Sequence, residues 1–348
     1  MISFYAILFA VAFLLLFKMP SYIKNKKSVE LKAMNRDSTM TLRGAAIIGI
    51  VLHHCSQYFD SLGILQMPVK QSGYALTPIF FLLSGYGCYH SLCTMPSSEK
   101  NVRAITTWTA RHSLRIYFDF IIVFLMNIVL FKVFSVKDGM SVAELLKDAL
   151  TLTQPTWTSW YPKIQILCYV VLAISFLITD KYKEIITFVV LLVYAALTWR
   201  IGFESMWYTS VLCFPLGMLF AKYIPEFKSK KIYGAVFAIS GVAFAVLFVL
   251  QTKMMQGPLR LLSACVLAAA VYAVTGLCQF DSIVLKSIGK ISFEIYLIHL
   301  MLLRLFVKEN VDSNVSILLI LLISILLGYI VNKLVVTMNN FMFKRKKD

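Results

Sequence analysis

The sequence predicts an all-α, polytopic integral membrane protein of about eleven transmembrane helices, a core of ten with one extra helix at the N-terminus. Composition is the first reason. Of 348 residues, 59% are hydrophobic and only 15% charged, where a soluble domain averages roughly half and a quarter. The second is that mean hydropathy is +0.77, with the apolar residues falling into runs near the length that crosses a bilayer core. The third is the distribution of 34 Lys and Arg against 17 Asp and Glu. They sit in short connections between apolar runs rather than in one stripe, which excludes nucleic acid and makes the lipid bilayer the expected partner.

In chain order, the run 2–17 lacks a basic leader and a small-residue cleavage site, so it reads as a retained helix rather than a signal peptide. Its C-terminal flank carries Lys18, Lys24, Lys26, Lys27, Lys32 and Arg36. The positive-inside rule then puts that flank in the cytoplasm and the N-terminus outside. Further spans are expected near 42–58, 75–95, 116–135, 161–179, 185–200, 207–222, 233–251, 259–278, 290–308 and 315–338. With alternating sides, the cytoplasm receives Lys100, Arg103, Arg111 and Arg115, then Lys181 and Lys183, then Lys222, Lys228, Lys230 and Lys231, then Lys286 and Lys290. The tail 344–348 is also basic, so the C-terminus is cytoplasmic in a multi-pass protein of the cell membrane. The outer side holds a thinner scatter, among them Lys70, Lys137, Lys147, Lys163 and Lys253. The least marked boundary is the short connection 201–205. Segment 136–160 has room for one short amphipathic helix around Val142 to Leu152. The organisation is therefore an N-terminal helix with a basic linker (1–38), one membrane domain (39–343) and a basic tail (344–348). Seven cysteines lie in or beside apolar runs without zinc-like spacing, so no metal is expected.

The stretch Leu42 to His54 carries the clearest chemistry. Arg43 and His54 are eleven residues apart, which on an α-helix returns to within about 20° of the same direction at a separation of about 16 Å. One face thus holds a cation near the membrane edge and an imidazole near mid-depth. An ionisable group there needs a partner or a polar cavity and marks a functional site. Imidazole suits proton abstraction from a hydroxyl. His53 points about 100° away and should not face the same cavity squarely. Asp60, further out, reads as a solvated acid. Gly44, Ala45, Ala46 and Gly49 allow close helix packing.

In Phe80-Phe-Leu-Leu-Ser-Gly-Tyr-Gly87, a serine and two glycines interrupt an apolar helix, as at a close-packed crossing. The connection after it ends Thr109-Ala-Arg-His-Ser-Leu-Arg-Ile-Tyr117. Arg111 and Arg115 share a face, where guanidinium forks suit phosphate or serve as membrane anchors, and Asp119 lies on that face too. Trp157, Trp160 and Tyr161 cluster at the mouth of the next span, as an interfacial belt or as a surface on which a sugar ring stacks. Ser292, Tyr296 and His299 recur at i, i+4 and i+7 on one face of a late helix, with Glu294 pointing elsewhere and needing its own partner.

Several of these stretches together resemble the acyltransferase-3 family of membrane O-acyltransferases. Arg43 to His54 matches its arginine–histidine signature, Phe80 to Gly87 its aromatic Ser-Gly run, Arg111 to Tyr117 its basic segment, and Ile291 to His299 its late Tyr-Leu-x-His helix. Cys213-Phe-Pro-Leu-Gly-Met218 is similar to a later segment. Two positions depart: His112 stands where the first of two arginines is common, and Gln165 follows Trp160-Tyr161 where a glutamate is common.

The resemblance implies an O-acetyltransferase that moves an acetyl or other short acyl group from acetyl-CoA onto a hydroxyl of a cell-envelope or capsular polysaccharide sugar, or of its lipid-linked precursor. It implies His54 and Arg43 as catalytic residues, Arg43, Arg111 and Arg115 at the coenzyme phosphates, and Trp157, Trp160, Tyr161, Tyr296 and His299 at the acceptor. No hydrolase-like domain is appended. A transporter or flippase of a lipid-linked saccharide is the alternative from another class, although no inverted repeat is apparent.

Overall fold

The computed structural model describes residues 33–59, 66–96, 101–133, 141–152, 158–223, 229–254, 257–309 and 312–343. The expected first span (2–17), Asp60 and Trp157 lie outside the described residues. Within them the fold is all helical: α1 (Arg36–Cys55), α2 (Gln66–Gln71), α3 (Gly73–Cys93), α4 (Val102–Val133), α5 (Val142–Leu150), α6 (Trp160–Ile178), α7 (Lys183–Ile201), α8 (Cys213–Tyr223), α9 (Lys230–Met254), α10 (Gly257–Leu277), α11 (Ile283–Lys290), α12 (Ser292–Lys308) and α13 (Ser313–Met342).

Ten of these helices answer to the ten expected core spans. Six are long and apolar enough to cross a membrane by length and composition: α4, α6, α7, α9, α10 and α13. The motif helices α1, α3 and α12 are not among them. α1 carries the charges and histidines that lower hydropathy, α12 is only 17 residues long, and both sit inside, where protein rather than lipid surrounds them. α7, α9 and α13 present the lipid face, with exposed residues such as Leu192, Val193, Ile239, Val242, Leu322 and Leu326. α1 packs on α3, α11 and α12, α3 on α8 and α10, and α4 on α6 and α13.

Two expectations are corrected. The basic segment 109–117 was expected in a connection before a span at 116. It forms the first half of α4, a 32-residue helix, because no proline or glycine interrupts 102–133. The expected span 207–222 is instead a 3-10 turn (Ser205–Trp207), a non-helical stretch and the 11-residue α8. At 1.5 Å per residue α8 reaches only about 16 Å. Tyr208 to Leu212 are all buried, so this irregular backbone is shielded by protein, the condition under which non-helical chain is tolerated at membrane depth.

Local sequence explains the element starts. Asn35 caps α1, its Oδ1 accepting from Ser38 N at 2.9 Å. The short amphipathic helix expected after 136 is α5, opened by a capping box between Ser141 and Glu144. Asp312 caps α13 by accepting from Asn314 N and Val315 N.

Close packing falls where the small residues are. A Cβ at Gly85 would overlap the Phe214 carbonyl, and one at Gly217 the Leu82 carbonyl. The Ser-Gly run of α3 and the Pro-Leu-Gly run of α8 are thus the two halves of one crossing, with backbones in direct contact. Gly44 meets the Leu285 carbonyl of α11 in the same manner. At that end Lys286 bridges Asp281 at 2.6 Å and Asp37 at 3.5 Å. A second tie joins three helices: Glu184, fully buried, accepts from Tyr89 Oη at 2.5 Å and from Lys222 Nζ at 2.8 Å.

Candidate functional site

Two cavities meet along the inner face of α1. The larger, about 380 Å³, is bordered by His53, His54 and Gln57 from the end of α1, Lys70 and Gln71 from α2, and Gly73, Tyr74 and Thr77 from α3. Trp160 of α6, Met206, Thr209 and Ser210 of the broken segment, Arg260 of α10, and Tyr296 and Leu300 of α12 complete it. The smaller, about 40 Å³, is bordered by Arg43, Ile50, Thr77, Phe80, Tyr161, Ser292, Phe293 and Tyr296. Ile50, Thr77 and Tyr296 belong to both walls.

The helix geometry follows from spacing. Arg43, Ile50 and His54 stand at i, i+7 and i+11 on α1, one stripe facing the same interior. The expected sharing of a face between Arg43 and His54 is what this stripe shows. Each end opens into its own cavity, and Ile50 stands between them.

Both histidines of the pair border the larger cavity, from different walls. This is possible because the cavity lies at the C-terminal end of α1, where rings about 100° apart can flank the same opening. Their polar environments differ. His53 Nδ1 lies 3.2 Å from the Val69 carbonyl, and its Nε2 lies 3.1 Å from Gln57 Nε2. A carbonyl only accepts, so Nδ1 carries the proton and Nε2 accepts from the amide, which leaves both nitrogens occupied. His53 also abuts Gly73, where a Cβ would collide with the ring. His54 is contacted by the Gln57 side chain.

His299 lies against His54, ring centroids 5.2 Å apart. It is fully buried, and its Nδ1 donates to the Ile295 carbonyl at 3.1 Å. Nε2 is buried without a hydrogen-bond partner among the described residues. Tyr296 stands one turn before it, 5.8 Å from the His299 ring and 5.2 Å from Tyr161. The expected face Ser292–Tyr296–His299 is thereby split: Ser292 and Tyr296 border the Arg43 cavity, while His299 backs His54.

Trp160 borders the larger cavity and Tyr161 the smaller, so the adjacent aromatics serve different chambers. Gln165 is buried and donates to Ser84 Oγ at 2.7 Å, tying α6 to the Ser-Gly crossing. Arg111 and Arg115 border neither cavity. Arg111 donates to Asn340 Oδ1 at 3.1 Å, and Arg115 pairs with Glu294 at 3.9 Å. Glu294 has the partners its depth demands, since it also accepts from Asn332 Nδ2 at 2.5 Å. Asp119, 1% exposed, lies beside this cluster. His112 is occupied too: Nδ1 donates to the Trp108 carbonyl at 2.7 Å and the ring stacks on Trp108.

Arg260, Tyr74, Lys70 and Gln57 are site residues that the sequence reading missed. Arg260 had a signal, as the fourth residue of an otherwise apolar helix. It donates to Tyr74 Oη and Ser205 Oγ, both at 2.8 Å, and lies 4.1 Å over the Tyr74 ring.

A chamber with an imidazole pair, joined through three shared side chains to a narrow chamber with an arginine, suits transfer of a group between two ligands arriving separately. No curated protein and no solved structure matches the chain significantly. The acyltransferase-domain family model matches residues 40–333, from the first turns of α1 into α13, and the chain therefore belongs to the acyltransferase-3 family of membrane acyltransferases.

Proposed function

We propose that this acyltransferase moves an acetyl or similar short acyl group from acyl-CoA, bound from the cytoplasm, to a hydroxyl of a cell-envelope carbohydrate or its lipid-linked precursor on the opposite side. The observation that carries the reading is that the Arg43 and His54 cavities share Ile50, Thr77 and Tyr296 as common walls. Donor phosphates are held by Arg43, and the thin pantetheine arm lies along α1 toward Ile50. The acceptor occupies the larger cavity against Trp160.

His54 takes the proton of the acceptor hydroxyl as its oxygen attacks the thioester carbonyl carbon. The tetrahedral intermediate collapses with cleavage of the C–S bond. His54 returns the proton to the departing thiolate, which gives an ester and free coenzyme A. Arg111 and Arg115 tie α4 to α12 and α13 in this scheme, and Arg43 is the cation that meets the donor. The protein lies in the cell membrane with the Lys286 end of the bundle facing the cytoplasm.

The test is thiol release from acetyl-CoA by protein reconstituted in lipid nanodiscs, with candidate glycans added. The expected result is glycan-dependent release that His54→Ala, folded and equally abundant, reduces to background. Equal release by His54→Ala overturns the assignment. Movement of a lipid-linked saccharide with the thioester intact identifies a flippase instead.

A further inference from the structure

α11 and α12 meet at Gly289-Lys290-Ile291-Ser292, beside the narrow chamber. A Cβ at Gly289 would overlap the Met40 carbonyl and come within 3.1 Å of Gly44 N. The end of α11 therefore rests on the turn of α1 that carries Arg43. One residue on, Lys290 is exposed and makes no ion pair among the described residues. Acids nearby are engaged by other cations. Lys286, one turn back on α11, bridges Asp281 and Asp37, and Arg115 pairs with Glu294.

α12 then starts at Ser292 without a side-chain cap, because the Ile291 side chain before it has no acceptor to offer. Amide groups in the opening turn of a helix lack intrahelical partners and carry partial positive charge, which suits a phosphate. Glu294, the acid of that turn, is held by Arg115 and Asn332. Ser292 gives an independent sign of a ligand. It is only 4% exposed, borders the narrow chamber with Arg43, and its hydroxyl has no hydrogen-bond partner among the described residues. A buried hydroxyl left in that way is costly unless a bound group completes it.

We propose that the junction of α11 and α12 is a phosphate site for the acyl donor. Lys290 meets a phosphate of coenzyme A at the rim of the chamber, and the Ser292 hydroxyl and the opening amides of α12 donate to its oxygens. This rests on the acyl-transfer reading above and adds a second contact to that of Arg43. The chamber of about 40 Å³ has room for about three water-sized groups, enough for the thin arm of the donor and not for its nucleotide. The nucleotide therefore stays outside, where Lys290 is. An ammonium on a flexible stem acts there as a point charge for phosphate.

The test measures binding of coenzyme A, 3′-dephospho-coenzyme A and pantetheine by calorimetry, with full-length protein in phosphatidylcholine nanodiscs. Wild-type protein is expected to bind coenzyme A about tenfold or more tighter than pantetheine. Lys290→Gln is expected to weaken coenzyme A binding by about tenfold, the scale of one charge-assisted contact, and to leave pantetheine affinity unchanged. Ser292→Ala weakens it less, and Lys290→Arg retains most of it. A Lys290→Gln penalty that vanishes with 3′-dephospho-coenzyme A supports a site for the 3′-phosphate, and one that persists supports a site for the diphosphate. Unchanged coenzyme A binding in folded Lys290→Gln, or equal losses for coenzyme A and pantetheine, overturns the proposal. So does a rise in Tm with anionic lipid that Lys290→Gln abolishes at unchanged coenzyme A affinity, which assigns the site to a lipid headgroup. Thiol release from acetyl-CoA is read separately. Lys290-dependent binding without release on any glycan keeps the phosphate site and removes acyl transfer, whereas release with no contribution from Lys290 does the reverse. Wild-type protein that binds no coenzyme A removes both.

Discussion

The rings of His54 and His299, from α1 and α12, stand with centroids 5.2 Å apart, and His299 is tethered to its own helix through Nδ1. The tether fixes Nδ1 on its own helix and leaves Nε2 buried without a hydrogen-bond partner among the described residues. His54 is therefore backed by a fixed ring that limits its orientation. Loss of His299 should affect turnover more than donor binding. His299→Ala is expected to lower kcat by about tenfold to a hundredfold with little change in KM for acyl-CoA. His54→Ala is expected to lower it by the 10²–10⁴ typical of a lost general base. Steady-state kinetics on folded protein checks both.

Arg43 and Arg115 should separate cleanly. Arg43 borders the inner cavity, and removing it is expected to raise KM for acyl-CoA about tenfold or more, the value of one charge-assisted contact. Arg115 pairs with Glu294, so Arg115→Gln should lower thermal stability and leave KM for acyl-CoA within about twofold. A larger KM effect at Arg115 than at Arg43 would place the donor along α4 instead.

The crossing of α3 and α8 predicts steric intolerance. With Phe214 and Leu82 carbonyls where Cβ atoms would stand, Gly85→Ala or Gly217→Ala should each cost about 1–3 kcal/mol as the helices are forced apart. The valine variants should fail to yield folded protein. Size-exclusion profiles and Tm in detergent measure this, with Gly87→Ala, where a Cβ meets nothing within 4 Å, as the tolerated control.

Lys222→Met should be more damaging than an ordinary surface change. It leaves Glu184, fully buried, facing only the Tyr89 hydroxyl among its bonded side-chain partners of the tie. A stranded charge of this kind costs about 3 kcal/mol. The double variant Lys222→Met with Glu184→Gln should recover part of the lost Tm, because it removes the orphaned charge as well as its partner.

Much of this was legible in the sequence because bilayer physics leaves few choices. Apolar length located most of the core helices, and periodicity placed Arg43 and His54 on one face. The broken segment Tyr208–Leu212 was not legible, since buried irregular chain is as apolar as helix and hydropathy does not separate them. The role of Arg115 was obscured for a different reason. Spacing along α4 shows which residues share a face, but only packing shows that this face meets Glu294 of α12 and Asn340 of α13. Arg260 was not singled out, although its place within the first helical turn of an apolar helix was the clue.

The shared wall of Ile50, Thr77 and Tyr296 has a consequence beyond chemistry. With its chambers opening on opposite faces of the bilayer, as proposed, the protein hollows the membrane from both sides, and the insulating layer narrows to those three side chains. A charge crossing a membrane at 100 mV releases about 2.3 kcal/mol. The same partition that lets an acyl group pass must therefore stop protons and sodium from draining the cell's potential, so its bulk is set by leakage as much as by catalysis.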